Sequence, residues 1–344
     1  MKTKDMKFAL FGHGYHICYL IEKIISEGFP KPVVITHPKK MHERDRRLLT
    51  DPNIYRYLFD VAKKNDVVTL ETDKVNCENV YSFLKKHNCN VAFASNCRSI
   101  FNNDLIEFFS GKMFNIHPTI LPNEKGSGIF SWRILNNSNE ISGTIHYIDS
   151  GVDTGNIVLQ KKEMIDKEFP TPHDFLIKTG ILFNDLIDQF FNDFDEIILS
   201  NGTIQPQGKG SYRTRLITED NGAIDWTLNG DLIERTIRAF SDPYPGAFTY
   251  LNGLKVQILS SKFEKVDHSF HPLMHGRIVD LSESGIAKVA VRGGYIFIDK
   301  VKKISGDFCN INDLINRPGQ FHTPYLEVEL ARCKSTPISK LEHD

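Results

Sequence analysis

The sequence predicts an α/β protein in two parts: a mostly parallel sheet flanked by helices, then a small antiparallel β-barrel. Three observations carry that expectation. Through the first part, short apolar runs alternate with helical patterns of about ten residues, the rhythm of strand–helix–strand crossovers in a parallel sheet. After residue 246, apolar runs are separated by turn pairs such as Asn252-Gly253 and Gly293-Gly294, as in a small barrel. Between the two lies 206–215, polar and interrupted by glycine and proline. At 344 residues the chain exceeds one typical domain. The expected division is 1–205, a linker 206–222, and 223–344.

The elements follow in order. Residues 6–11 form an apolar strand that enters Gly12-His13-Gly14, and 15–27 have a helical pattern. A dinucleotide fingerprint would need a third glycine where Ile17 stands, so NAD binding is not read from this turn. A second strand occupies 33–36. The polar, basic stretch 38–51 reads as a mobile loop whose charges form a solvated surface. Helix 54–64, strand 67–70 and helix 78–87 come next. The buried strand 91–94 then ends in Ser95-Asn96-Cys97-Arg98. Strand 112–116 is followed by a Trp-bearing helix, strand 144–148 and a continuation at 156–164. Thr171 and Pro172 are an N-cap and a first helical position for a helix running to about 191. In the second part, Leu232, Ile233, Ile237 and Phe240 share one helical face, which Pro243 and Pro245 terminate. Strands are expected at 247–251, 254–260, 276–281, 286–292 and 294–303.

Charge and composition exclude several classes. Lys plus Arg number 42 against 43 Asp plus Glu, so no net charge draws the chain to nucleic acid. No apolar run approaches the roughly 18 residues of a membrane span. The six cysteines have neither Cys-x-x-Cys pairing nor zinc-finger spacing, and read as reduced thiols. The first strand begins almost at the N-terminus, leaving no signal peptide. A soluble, cytoplasmic protein is expected. Scattered carboxylates around one histidine do not make a three-ligand metal site, so no metal is expected.

The chemistry concentrates at two strand ends. Asn115-Ile116-His117-Pro118 ends one apolar strand, and two prolines, Pro118 and Pro122, prevent the loop from continuing as strand or helix. Asn115 and His117 are two apart, so an extended backbone points both to one side. About thirty residues later comes Asp149-Ser150-Gly151-Val152-Asp153-Thr154-Gly155, a turn bracketed by glycines and carrying two carboxylates. Singly these are ordinary turn residues. Together they aim an amide donor, an imidazole and a carboxylate at one place, because ligands of such sheets sit outside the carboxyl ends of the strands.

The pattern Asn-x-His-Pro-x-x-Leu-Pro at 115–122, then the Trp132 helix and Gly-Val-Asp-Thr-Gly at 151–155, resembles the catalytic signature of the folate-dependent formyltransferases. That family includes enzymes acting on methionyl-tRNA, on glycinamide ribonucleotide and on nucleotide-linked amino sugars. Ala223-Ile224-Asp225-Trp226 and the run 238–248 are similar to its inter-domain signature. The resemblance covers roughly 6–305 and implies a Rossmann-like catalytic domain followed by an open barrel of the oligonucleotide-binding type.

It also implies an N-formyltransferase using 10-formyltetrahydrofolate, with Asn115, His117 and Asp153 catalytic. Asn115 would stabilise an oxyanion, His117 would bond the formyl oxygen or act as base, and Asp153 would orient the imidazole and take the proton. The folate would lie against Ile148, Asp149, Ser150, Gly151 and Val152, and against Ser95, Cys97, Arg98 and Ile100, with Cys97 a packing residue. The acceptor would meet His13, Lys125, Gly126, Ser127 and Gly128. Thr36-His37, Tyr212 and the Gly-x-Phe-Ser-Trp run at 128–132 look most like the sugar enzymes, which implies a dTDP- or UDP-linked amino sugar and a surface-glycan product. The tRNA enzyme's basic loop has no convincing counterpart here. Two alternatives remain: formylation of methionyl-tRNA, or a ligand-binding relative without activity. Trp226, Tyr244 and Phe248 are expected to pack the domain junction, and the barrel to support the first domain or a homodimer contact. Removal of 206–344 is therefore expected to leave chemical competence.

Overall fold

A computed structural model describes residues 5–206, 208–309, 311–315 and 319–334. The first sheet is built from β1 (Phe8–Gly12), β2 (Val33–Thr36), β3 (Val68–Glu71), β4 (Val91–Ser95) and β5 (Met113–His117), all parallel where they pair. A three-residue strand, β6 (Glu124–Gly126), lies apart from it; β7 (Glu140–Tyr147) and β8 (Ile157–Met164) complete the sheet. The order is β3-β2-β1-β4-β5-β7-β8, and β7 runs antiparallel to β5.

Every residue of β1, β2 and β4 is buried, because helices cover both faces, which is why these strands read as unbroken apolar runs. One face packs on α1 (Tyr15–Ser26), through side chains including Ile17 and Leu20. The other packs on α4 (Glu78–Lys86) and α5 (Asn103–Phe108), which follow α2 (Lys39–Leu48) and α3 (Leu58–Lys64) in the chain. After the short α6 (Ile129–Leu135), the long α7 (Pro172–Asn192) adds Phe183 and Phe190 to the α1 face. Thr171 and Asp174 bond reciprocally across its first turn as a capping box.

Three stretches differ from the sequence expectation. Residues 38–51 hold the helix α2, not a mobile loop. Its inward residues are polar: His42 is buried and reaches Thr36 Oγ1 at 3.2 Å and the His37 carbonyl at 3.0 Å. A face held by hydrogen bonds leaves no apolar periodicity to read. Residues 206–222, expected as a spacer, instead contain β9 (Ser211–Arg213), which pairs in parallel with β6. A three-residue strand beside Gly210 is too short to show a period of two. The helix expected from 54 begins at Leu58, after a turn.

The second part is a curled antiparallel sheet. Its strands are β10 (Ala247–Leu251), β11 (Leu254–Lys265), β12 (Ile278–Leu281), β13 (Ala287–Val291) and β14 (Gly294–Lys303); all five start close to expectation, and β11 continues past its expected end at 260. They lie in the order β12-β13-β14-β11-β10, and a two-residue strand, Phe321–His322, follows β10. A bridge between Arg277 and Gln320 brings the two edges together. The helix Gly230–Ala239 joins this sheet to the first domain. Ser131 Oγ on α6 donates to the Ala239 carbonyl at 2.8 Å, and Arg238 donates to Pro170 O while holding Glu234. Trp226 stacks on Phe321 and donates to Thr249 Oγ1, so it packs the second domain, and Phe248 is buried there as well.

Candidate active site

A cleft of about 490 Å³ opens where β1, β4 and β5 end, walled by the turn after β7 and by Arg215 and Tyr244 from beyond residue 205. At its base Asn115 and His117 point the same way from β5, as their spacing requires. Because β7 is antiparallel, Asn115 stands directly opposite His146 and His117 opposite Thr144. The turn after β7 starts level with Met113, whose carbonyl accepts from Ile148 N, and folds back so that Asp153 faces all three polar side chains. Asp153 Oδ1 is 3.5 Å from Asn115 Nδ2, 3.6 Å from His117 Nδ1 and 3.7 Å from His146 Nε2.

This turn explains its glycines. A Cβ on Gly155 would collide with the Tyr147 carbonyl, and one on Gly151 with the Thr154 side chain. Asp153 itself sits at φ 54, a left-handed conformation that costs a non-glycine residue roughly a kilocalorie per mole. Four bonds hold it there. Gln205 Nε2 donates to the carbonyls of Asp153 (3.1 Å) and Gly155 (2.6 Å), and Tyr212 Oη donates to Val152 O at 2.8 Å. Gly126 N donates to Asp153 Oδ2 at 2.9 Å, from the strand that β9 pairs with. The segment joining the domains thus braces the turn that carries Asp153.

His117 is fixed by its other nitrogen: Nε2 donates to the Glu124 carbonyl at 2.9 Å, which leaves Nδ1 facing the Asp153 carboxylate. His146 was not singled out from sequence, since it sits inside an apolar strand. Its Nδ1 donates to Tyr147 O at 2.7 Å, so Nε2 carries a lone pair and accepts from the Asn115 amide at 3.0 Å. Burial pushes His146 down to about 4, against the pull of Asp153, and so keeps it neutral in this accepting role. The amide of Asn115 is thereby oriented, with its donors toward His146 and Asp153.

The structure places most of the other expected residues on the cleft wall. Cys97, Arg98, Ile100, Ile148, Asp149, Gly151, Val152, His13, Gly126, Ser127 and Gly128 line it. Three do not. Ser95 is buried and faces His16 Nδ1 at 3.4 Å, at the edge of a smaller adjoining pocket. Ser150 is exposed outside the cleft, and Lys125 lies over the Tyr212 ring. Burial pushes the Cys97 thiol up to about 11, which suits packing and not nucleophilic attack. His13 has its Nε2 committed to Asp45 Oδ2 at 2.9 Å, a partner hidden in a stretch read as loop. Tyr244, expected in the junction, faces the cleft. Residues beyond 205 therefore line part of the cleft, where the barrel was expected mainly to support the first domain or a homodimer contact.

A doubly wound domain whose sheet presents an amide, an imidazole and a carboxylate in one cleft has the groups that suit an enzyme of group transfer through an oxyanionic intermediate. Comparison with known proteins specifies the group. The formyl transferase family model matches residues 6–172, and that of the formyl transferase C-terminal domain matches 216–319. The chain belongs to the formyl transferase family and is a formyl-transferring enzyme. Among curated proteins it is 26% identical to a methionyl-tRNA formyltransferase of Syntrophus aciditrophicus, over 86% of this chain and 90% of that one. Among solved structures it is similar to WlaRD, a sugar 3N-formyl transferase crystallised in the presence of dTDP and 5-N-formyl-THF, with TM-score 0.60 and 21% identity over 85% and 97% of the two chains. An N-formyltransferase from Helicobacter canadensis, in complex with folinic acid and dTDP-3-aminofucose, has the same TM-score and identity over 85% and 98%.

Proposed function

We propose that the protein transfers the formyl group of 10-formyltetrahydrofolate to the amino group of a nucleotide-linked amino deoxy sugar. The observation that carries the reading is the convergence of Asn115 and His117 on Asp153, each within 3.6 Å of its carboxylate, at the base of the cleft. The donor side fits a flat heteroaromatic ring. Ala94, Ile100, Phe101, Ile148 and Val152 supply apolar walls, and the turn 149–153 supplies backbone polar groups. The sugar acceptor is supported by the ligands of the two solved relatives and by a chain carrying net charge −1.

In this reading the neutral amine attacks the formyl carbon. Asn115 keeps one N–H on His146 and turns the other, which at rest lies only 3.5 Å from Asp153, to the oxygen as it becomes negative, a contribution typically worth about 3 kcal/mol. Asp153 takes the proton released from nitrogen, and His117 Nδ1 beside it shares that proton. The Nε2 bond to Glu124 prevents the ring from turning away. Collapse of the intermediate expels the folate nitrogen, which recovers a proton from the same pair. The protein supplies no nucleophile of its own.

The test is incubation with 10-formyltetrahydrofolate and a panel of dTDP- and UDP-linked amino sugars, with products read by mass. Charged initiator tRNA belongs in the same panel, because the curated relatives are methionyl-tRNA formyltransferases. Formylation of the tRNA with no sugar turned over would replace the acceptor and leave the chemistry standing.

A further inference from the structure

Three guanidinium groups face one part of the cleft wall. Arg44 comes from α2, Arg98 from the turn after β4, and Arg215 from the inter-domain segment just past β9. Each is half-buried. Among the described residues no carboxylate pairs with Arg98 or Arg215. Arg44 reaches Asp45 only at 3.9 Å, and that carboxylate is already bonded to His13. The crowding shows in Arg215: burial first, then the charges of Arg98 and Arg44, weaken its hold on its proton, with Asp45 opposing.

Three like charges gathered in a concave, partly desolvated place repel one another, and a multiply charged anion relieves that repulsion. Arginine is also the side chain whose planar fork matches phosphate and carboxylate oxygens in pairs. Tyr244 stands in the same wall as a hydroxyl donor. His13 holds Asp45, and so α2, in position, which keeps Arg44 aimed at the cleft. Nothing in the formyl-transfer chemistry uses these cations.

We infer that Arg44, Arg98 and Arg215 form a polyanion-binding corner of the cleft. Resting on the function proposed above, its occupant is a doubly charged arm of a substrate. The diphosphate of the nucleotide-linked acceptor and the glutamyl carboxylates of the folate donor share that chemistry. Because the corner draws on α2, the turn after β4 and the inter-domain segment, it exists only in the assembled chain.

The experiment is calorimetric titration of the full-length chain and its Arg215→Ala, Arg98→Ala and Arg215→Lys variants, each checked for unchanged melting temperature. The probes are dTDP, UDP, thymidine, folinic acid and its analogue lacking the glutamyl group. If the corner holds the diphosphate, each alanine variant loses at least tenfold in affinity for dTDP or UDP, and thymidine binding is unmoved. Arg215→Lys falls between, since it keeps the charge and loses the fork. If it holds the folate tail, the tenfold loss appears for folinic acid and not for the glutamate-free analogue. Equal affinities of all variants for every anion overturn the corner. An unaltered chain that binds neither nucleoside diphosphate, yet whose folinic acid binding depends on Arg215, overturns the nucleotide-sugar reading and assigns the corner to the folate.

Discussion

Replacing Gln205 by leucine should slow catalysis without touching a reacting group. The side chain is buried, and its Nε2 holds two carbonyls of the turn after β7, those of Asp153 and Gly155. Leucine keeps most of the volume and removes both bonds. A neutral hydrogen bond is worth about 0.5–1.5 kcal/mol net, so the pair amounts to about 2 kcal/mol. That is comparable with the roughly 1 kcal/mol needed to keep Asp153 at positive φ, so the turn would relax and the carboxylate would leave His117 and Asn115. At 1.36 kcal/mol per decade, kcat should drop by about 30-fold, with little change in KM for either substrate. Steady-state formyl transfer measures this directly. In an Asp153→Ala background the same substitution should have almost no further effect, because both act through one carboxylate. A Gln205→Leu enzyme within twofold of the parent kcat, or a loss fully additive with Asp153→Ala, would refute the bracing role.

Other expectations are simpler. Asn115→Ala, His117→Ala and Asp153→Ala should each lower kcat by at least about a hundredfold while folinic acid affinity, followed by fluorescence, stays within a few-fold. His146→Leu removes the acceptor that orients Asn115 and should cost about tenfold in kcat; His146→Gln, which can still accept, should recover most of it. Stability should fall in acid: burial pushes His16 and His146 to about 4 and His37 to about 3, from 6.5. The unfolded chain then binds protons that the folded one refuses. The stabilisation is complete above about pH 6.5 and declines toward pH 4, read as falling denaturant midpoints between pH 7.5 and 4.5. A fragment ending at 205 should show no turnover, since it lacks Tyr212, Arg215 and Tyr244.

Much of this architecture could be read from sequence because it rests on apolar patterning and turn chemistry. The runs at β1, β2, β4 and β5 are buried on both faces, so hydrophobicity alone marks them. Asn115, His117 and Asp153 were visible because proline and glycine flank them and their spacing sets their direction. What escaped detection is held together by polar contacts between distant residues. The helix α2 sets a buried His42 and a half-buried Asp45 against Thr36, His37 and His13, an interface with no hydrophobic signature. The β6–β9 pair joins residues nearly ninety positions apart, and no local pattern encodes that partnership. His146 looked like one more residue of a core strand; only the antiparallel register of β5 and β7 shows it facing Asn115.

The exposed border of the first sheet bears on how copies of this chain can meet. At the edge, β8 begins where Ile157 exchanges two backbone bonds with Thr203, at 2.8 and 2.7 Å, so the chain itself has closed that end to any incoming strand. Further along, Lys161 is engaged with Asp185 and Glu163, and Lys162 lies toward Glu140. A second molecule adding a strand there would have to strip water from these charges and break their pairs, a device by which sheet proteins resist edge-to-edge aggregation. Growth of the sheet from one copy to the next is disfavoured on this side.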